Sequence, residues 1–184
     1  METYKVKIVG TRPLLLNNPE YEIGNTPKRR RGEHLTPEEE AKLKLYLNEK
    51  GEPCVPARVI KGALRNAGRG YRVKGRGTTT YGAMIRAGLD IEPSMIPIIS
   101  DGWKVDIQHV VVQRSRIPRA RPRFDNWSLE FKIINKDPTI LLRETVKKIL
   151  EDAGKWYGIG DYRPEYGLFE VVKFEVEKNE SKMS

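Results

Sequence analysis

The sequence predicts an α+β fold, with helices packed on one face of an antiparallel sheet. Three observations predict it: short strand patterns alternating apolar with polar, three amphipathic helical patterns set between them, and the order strand, helices, paired strands, helix, strand. At 184 residues the chain fits one domain spanning 1–177, with a disordered tail at 178–184. A basic loop at 17–35 and a basic hairpin at 103–134 are expected to project from it.

Tyr4, Val6 and Ile8 alternate with Lys5 and Lys7, the pattern of a half-buried first strand. The leucine run Leu14 to Leu16 follows, then the turn-rich loop that carries Lys28-Arg29-Arg30-Arg31. Thr36 and Pro37 open a helix as N-cap and first residue, and Glu38, Glu39 and Glu40 suit the positive end of its dipole. That helix is expected to reach about Leu47. Pro56 opens the next, whose apolar face is Val59, Ile60, Ala63, Leu64 and Ala67 and whose other side carries Arg58, Lys61, Arg65 and Arg69. Gly68 and Gly70 end it. The basic loop from Tyr71 to Thr80 is glycine-punctuated and expected to be mobile, and Tyr81 to Ala87 reads as a short helix.

Trp103, Val105, Ile107, His109 and Val111 alternate on one strand face, and Trp127, Leu129, Phe131 and Ile133 on another. These two segments are expected to pair with each other and to hold the arginine-rich stretch between them at a hairpin tip. Their tryptophans, Phe131 and His109 are expected in the core. A helix from Pro138 to Ala153 and a strand from Leu168 to Glu177 complete the pattern, joined by a glycine-rich turn, Gly158 to Gly167.

Charge distribution points to function. The net charge is +9 and the pI about 9.6. Two stretches carry the excess without any acid, Pro53 to Leu89 and Ile107 to Phe124. A solvated face ordinarily mixes signs, because interspersed acids relieve self-repulsion, so acid-free stretches imply a polyanionic partner. In the second stretch Pro118 and Pro122 keep the chain extended. Arg119, Arg121 and Arg123 then point the same way at intervals of roughly 6.5–7 Å, a comb matched to the phosphates of an extended single strand. Arg114 and Arg116 extend it. Arg58, Lys61, Arg65 and Arg69 form a helical ridge that continues into Arg72, Lys74 and Arg76 of the loop, with Tyr71 placed to stack on a base.

Other classes find little support. No run of 18 apolar residues exists, and the first residues have no signal-peptide core, so an intracellular protein is expected. The single cysteine, Cys54, forms no internal disulfide, and no metal-ligand spacing or phosphate-binding loop motif is present, so neither metal nor cofactor is expected. His34 is the one candidate general base, for cleavage of RNA.

Two segments resemble the RAMP superfamily of CRISPR systems. Val55-Pro-Ala-Arg-Val-Ile-Lys-Gly-Ala-Leu-Arg65 is similar to the start of a conserved helix there, and Gly158 to Phe169 to the C-terminal glycine-rich loop. The whole chain also resembles a set of small proteins of phages and mobile elements. The resemblance implies a ferredoxin-like, RRM-like sheet and binding of single-stranded nucleic acid by homo-oligomers stacked along the strand, with Lys61, Arg65 and Gly158 to Gly167 beside the backbone. Asp161 and Glu165 depart from what a phosphate-facing loop would carry. Three readings stand: a non-catalytic, sequence-tolerant binder of single-stranded RNA or DNA, a RAMP-type endoribonuclease using His34, and a viral or mobile-element assembly protein.

Overall fold

The alternating start of the chain folds as a strand that buries Tyr4, Val6 and Ile8 and turns Lys5 outward. The computed structural model describes residues 1–19 and 34–178, so the basic run Lys28 to Arg31 and all but the first residue of the expected tail lie outside the described residues. In chain order the first elements are β1 (Glu2–Gly10), β2 (Leu14–Leu15), α1 (Pro37–Leu43), β3 (Cys54–Pro56), α2 (Ala57–Gly68) and α3 (Tyr81–Gly88). Short strands β4 (Leu89–Glu92), β5 (Met95–Pro97) and β6 (Ile99–Ser100) follow, then β7 (Lys104–Val112), β8 (Ser115–Phe124) and β9 (Trp127–Asn135). The chain closes with α4 (Arg143–Asp152), a π-helical turn (Ala153–Tyr157) and β10 (Phe169–Val176).

The main sheet runs β10-β1-β9-β4, every neighbouring pair antiparallel, with β6 added on β9. Its last, first, third and second principal strands thus lie side by side. Helix α2 links β1 to β4 and α4 links β9 to β10, which is the interleaved ferredoxin-like arrangement. The expected α+β class is the observed one. Ile60, Ala63, Leu64 and Ala67 of α2 and Val146, Ile149 and Leu150 of α4 cover Tyr4, Val6, Ile8, Leu129, Phe131 and Ile133 of the sheet. The opposite sheet face carries Lys5, Lys7, Lys132 and Lys173, interleaved with Glu130, Glu175 and Glu177 in ion pairs of 2.8–3.6 Å. That face mixes signs as a solvated surface does.

Two helices are shorter than their patterns. Thr36 caps α1, its Oγ1 accepting from the Glu39 N–H at 3.2 Å while Glu39 accepts from the Thr36 N–H at 2.9 Å. The helix stops at Leu43 rather than Leu47, because Lys44 turns into the protein and pairs with Glu40 at 2.8 Å. Helix α4 starts at Arg143 rather than Pro138. Asp137 accepts from the Thr139 N–H and hydroxyl, which holds the preceding residues in a turn.

The hairpin is paired differently from the expectation. β7 pairs with β8, not β9, in register from Val112 against Ser115 to Lys104 against Arg123. Gln113 and Arg114, at φ 47° and 70°, form the two-residue turn. The arginine-rich stretch is therefore a strand, not a tip, and β9 leaves to join β1. Its prolines are tolerated because of their parity. The Ala120 N–H points away from β7 to the Glu40 carboxylate at 3.2 Å, so Pro118 and Pro122, two residues either side, remove no bond of the β7 ladder. The face expected to be apolar core is turned outward instead: Ile107 is 49% and Val111 70% exposed, and His109 is exposed beside them. Trp127 and Phe131 are buried as expected, and Trp103 packs half-buried against the core.

Candidate nucleic-acid interface

The arginine comb does share one face, but its cations are already partnered. Arg121 is 8% exposed; its Nε lies 2.5 Å from Asp161 Oδ2, off the hydrogen-bonding line, and its guanidinium sits 4.9 Å from the centre of the Tyr162 ring. Arg123 pairs with Asp106 at 3.2 Å and Asp125 at 2.7 Å and lies over Tyr166. Arg119 pairs with Glu40 at 3.5 Å. Burial pushes the Glu40 carboxyl up, but its bonds from Lys44 and the Ala120 N–H, with Arg119 nearby, outweigh burial and hold it below the usual glutamate range. The comb is a clamp: it ties β8 to α1 on one side and to the glycine turn on the other. Arg114 and Arg116, at the turn of the hairpin, remain exposed.

The acids of the glycine turn follow from the same network. Asp161 neutralises Arg121, and Glu165 lies 3.9 Å from Arg12. Neither acid argues against an anionic ligand nearby, since each answers a buried or adjacent arginine. The turn is held by main-chain bonds from Ile159 N–H to Gly167 O, Asp161 N–H to Leu15 O and Gly167 N–H to Pro13 O, at 2.8–3.0 Å. Gly160 is required there: it sits at φ +81°, and a Cβ would stand 2.4 Å from the Leu15 carbonyl oxygen.

On α2 the four cations separate. Lys61 pairs with Asp90 of β4 at 3.3 Å, and Arg58 lies over Tyr46, 5.7 Å from its ring centre. Arg65 and Arg69 have no acidic partner among the described residues. The loop beyond the helix is closed by a bridge between Arg72 and Thr80 and by a bond from the Val73 N–H to Thr79 O at 2.9 Å, with Val73 buried. It presents Arg72, Lys74 and Arg76 to solvent, Arg76 touching the Met84 sulfur at 3.9 Å. Tyr71 is engaged otherwise than expected. Its hydroxyl donates to Asp152, the Lys148 ammonium lies 5.6 Å from its ring, and it packs against the core, which makes it a structural link between α2 and α4.

Between α2 and the glycine turn runs a groove. Arg58, Val59, Gly62 and Asn66 line its helical wall, Gly160, Asp161 and Arg163 the opposite one, and Leu16, Asn17 and Tyr46 one end. Trp156, Tyr157, Tyr162 and Pro164 continue it past Asn66. Gly62 opens the helical wall: a Cβ there would meet nothing within 4 Å, so the residue leaves room above the backbone. A mid-helix glycine costs roughly 1 kcal/mol against alanine, and no packing in the structure requires it. Gly62, Asn66 and Tyr46 were not among the candidates read from the sequence, whereas Arg163 lies in the Gly158 to Gly167 turn that the resemblance placed beside the backbone. For Asn66 and Gly62 the signal is the helical period, which puts both on the face of Arg58, Arg65 and Arg69. For Tyr46 the signal is tertiary only. His34 lies elsewhere, in a depression with Pro37, Glu40, Ile107 and Arg119.

No protein-family model matches the chain, and no curated protein matches its sequence. A search of solved structures finds a chain of the Type III-B Cmr-beta complex, solved by cryo-EM bound to cognate target RNA, at 16% identity and a TM-score of 0.62. The alignment covers 96% of this chain and 61% of that one, so this chain spans about three fifths of its neighbour's length. The two chains share a fold. At this identity the likeness concerns fold alone. No helix among the described residues is long and apolar enough to cross a membrane.

Proposed function

We propose that the chain binds single-stranded nucleic acid, RNA in the first place, in the groove between α2 and the glycine turn, and that copies assemble along the strand without cleaving it. One observation carries the reading: the α2 face whose Gly62 and Asn66 open on the groove also carries Arg65 and Arg69, which have no acidic partner among the described residues, and its glycine leaves space where a strand would lie. The arginines address phosphates rather than base edges, which makes binding tolerant of sequence. The RNA bound in the complex of similar fold supports RNA over DNA. His34 lies in a separate depression with Glu40 and Arg119, which supports binding without a general base.

Anisotropy of labelled uridine and thymidine 20-mers, titrated from low to high salt, tests the reading. Arg58, Arg65, Arg69, Arg72, Lys74 and Arg163 make about six phosphate contacts, and roughly −0.7 per contact gives a log–log slope near −4. Binding whose strength is flat in salt would sink it. Under metal-free conditions the RNA is expected to stay intact; cleavage that disappears in His34→Ala would replace binding alone with endonuclease activity.

A further inference from the structure

The far end of the groove differs from the rest of it. The π-helical turn Ala153–Tyr157 is closed by the Gly158 N–H donating to Ala153 O at 2.8 Å, one residue wider than an α-helical turn. Gly154 pins the turn to β10, since a Cβ there would stand 2.3 Å from the Phe169 carbonyl oxygen. Trp156 and Tyr157 are thereby turned outward, 63% and 38% exposed. Single exposed apolar side chains are ordinary, but here Tyr162 stands with them around one depression of about 500 Å³, within the size range of small-ligand pockets.

Tyr162 is held there against its backbone preference. It adopts φ +53°, while the other left-handed positions of this turn, Gly158, Gly160 and Gly167, are all glycine. A side chain in that region crowds its own backbone, and Arg121, stacked on the Tyr162 ring, keeps it in place. The Asn66 amide faces the same depression with no hydrogen-bond partner among the described residues, offering a donor and an acceptor together. Arg163, exposed and without an acidic partner among the described residues, lines the same space.

We infer that this depression captures one nucleobase, unstacked from the bound strand. Trp156, Tyr157 and Tyr162 supply aromatic faces, Asn66 meets the base edge, and Arg163 holds the adjoining phosphate. The inference rests on the proposed nucleic-acid binding, and it adds a site that recognises a base where the remainder of the groove recognises backbone.

The test compares a labelled uridine 20-mer with an abasic 20-mer of equal charge, binding to the full chain and to Trp156→Ala. Stacking is worth roughly 1–3 kcal/mol per base, about 5- to 150-fold. The wild-type chain is expected to prefer the base-bearing strand by at least tenfold, and Trp156→Ala to lose most of that preference with its salt slope unchanged. Equal binding of both strands by the wild-type chain, or a preference undiminished in Trp156→Ala, overturns the base pocket and leaves backbone binding standing. Failure of both strands to bind overturns both.

Discussion

Replacing Arg121 by alanine is expected to cost about 3 kcal/mol of folding stability, the largest single effect outside the apolar core. Arg121 is nearly enclosed, and removing it leaves the Asp161 carboxylate beside Tyr162 without its counter-charge. Breaking a buried pair from one side costs roughly 3–5 kcal/mol, because the surviving charge is uncompensated. Asp161 keeps 33% of its side-chain surface exposed, which places the expectation at the low end of that range. For a chain of this size about 3 kcal/mol corresponds to a fall of roughly 6–12 °C in Tm. Adding Asp161→Asn to Arg121→Ala removes the stranded charge and is expected to restore part of the loss. If thermal unfolding shows Arg121→Ala within about 1 °C of wild type, the comb is not the clamp described above.

Reversing two charges on α2, Arg65→Glu with Arg69→Glu, is expected to weaken RNA binding by at least about 100-fold at moderate salt. Each arginine lost removes a charge-assisted contact worth roughly 1.5–3 kcal/mol, and each glutamate added repels the strand. Both side chains lie on the side of α2 opposite its buried face and have no acid to release, so stability should change little. Anisotropy measures the binding and urea denaturation the stability. The same reversal at Arg121 and Arg123 would unfold the clamp, which is why it does not discriminate.

That contrast shows how far the sequence could be read. Alternation in β1 and β9 and the helical period of α2 are local, and they predicted the layers correctly because each face was decided by its own pattern. The acid-free stretches were equally visible, yet their chemical use was not. Arg119 and Arg121 meet Glu40 and Asp161, acids from distant parts of the chain that no spacing rule associates with them, while Arg123 meets Asp106 across the hairpin and Asp125 two residues on. For the same reason β7 read as half core: alternation identified two faces, but the Arg121–Asp161 and Arg123–Asp106 pairs, not apolarity, chose which one went in. The groove has a local half, the α2 face, and a tertiary half, Arg163 with the π-helical turn, which only the folded chain brings opposite it.

The most direct measurement of the central claim is paired Kd and Tm values for Gly62→Leu. A side chain at position 62 finds open space at its Cβ and a better helix former replaces glycine, so Tm is expected to rise by roughly 2–4 °C for about 1 kcal/mol gained. The same side chain fills the space above α2 where the strand would lie, so the Kd for a uridine 20-mer is expected to rise at least tenfold. A chain made more stable while it loses its ligand is the signature of an occupied groove. A stable Gly62→Leu variant that binds the 20-mer as tightly as wild type would contradict the account.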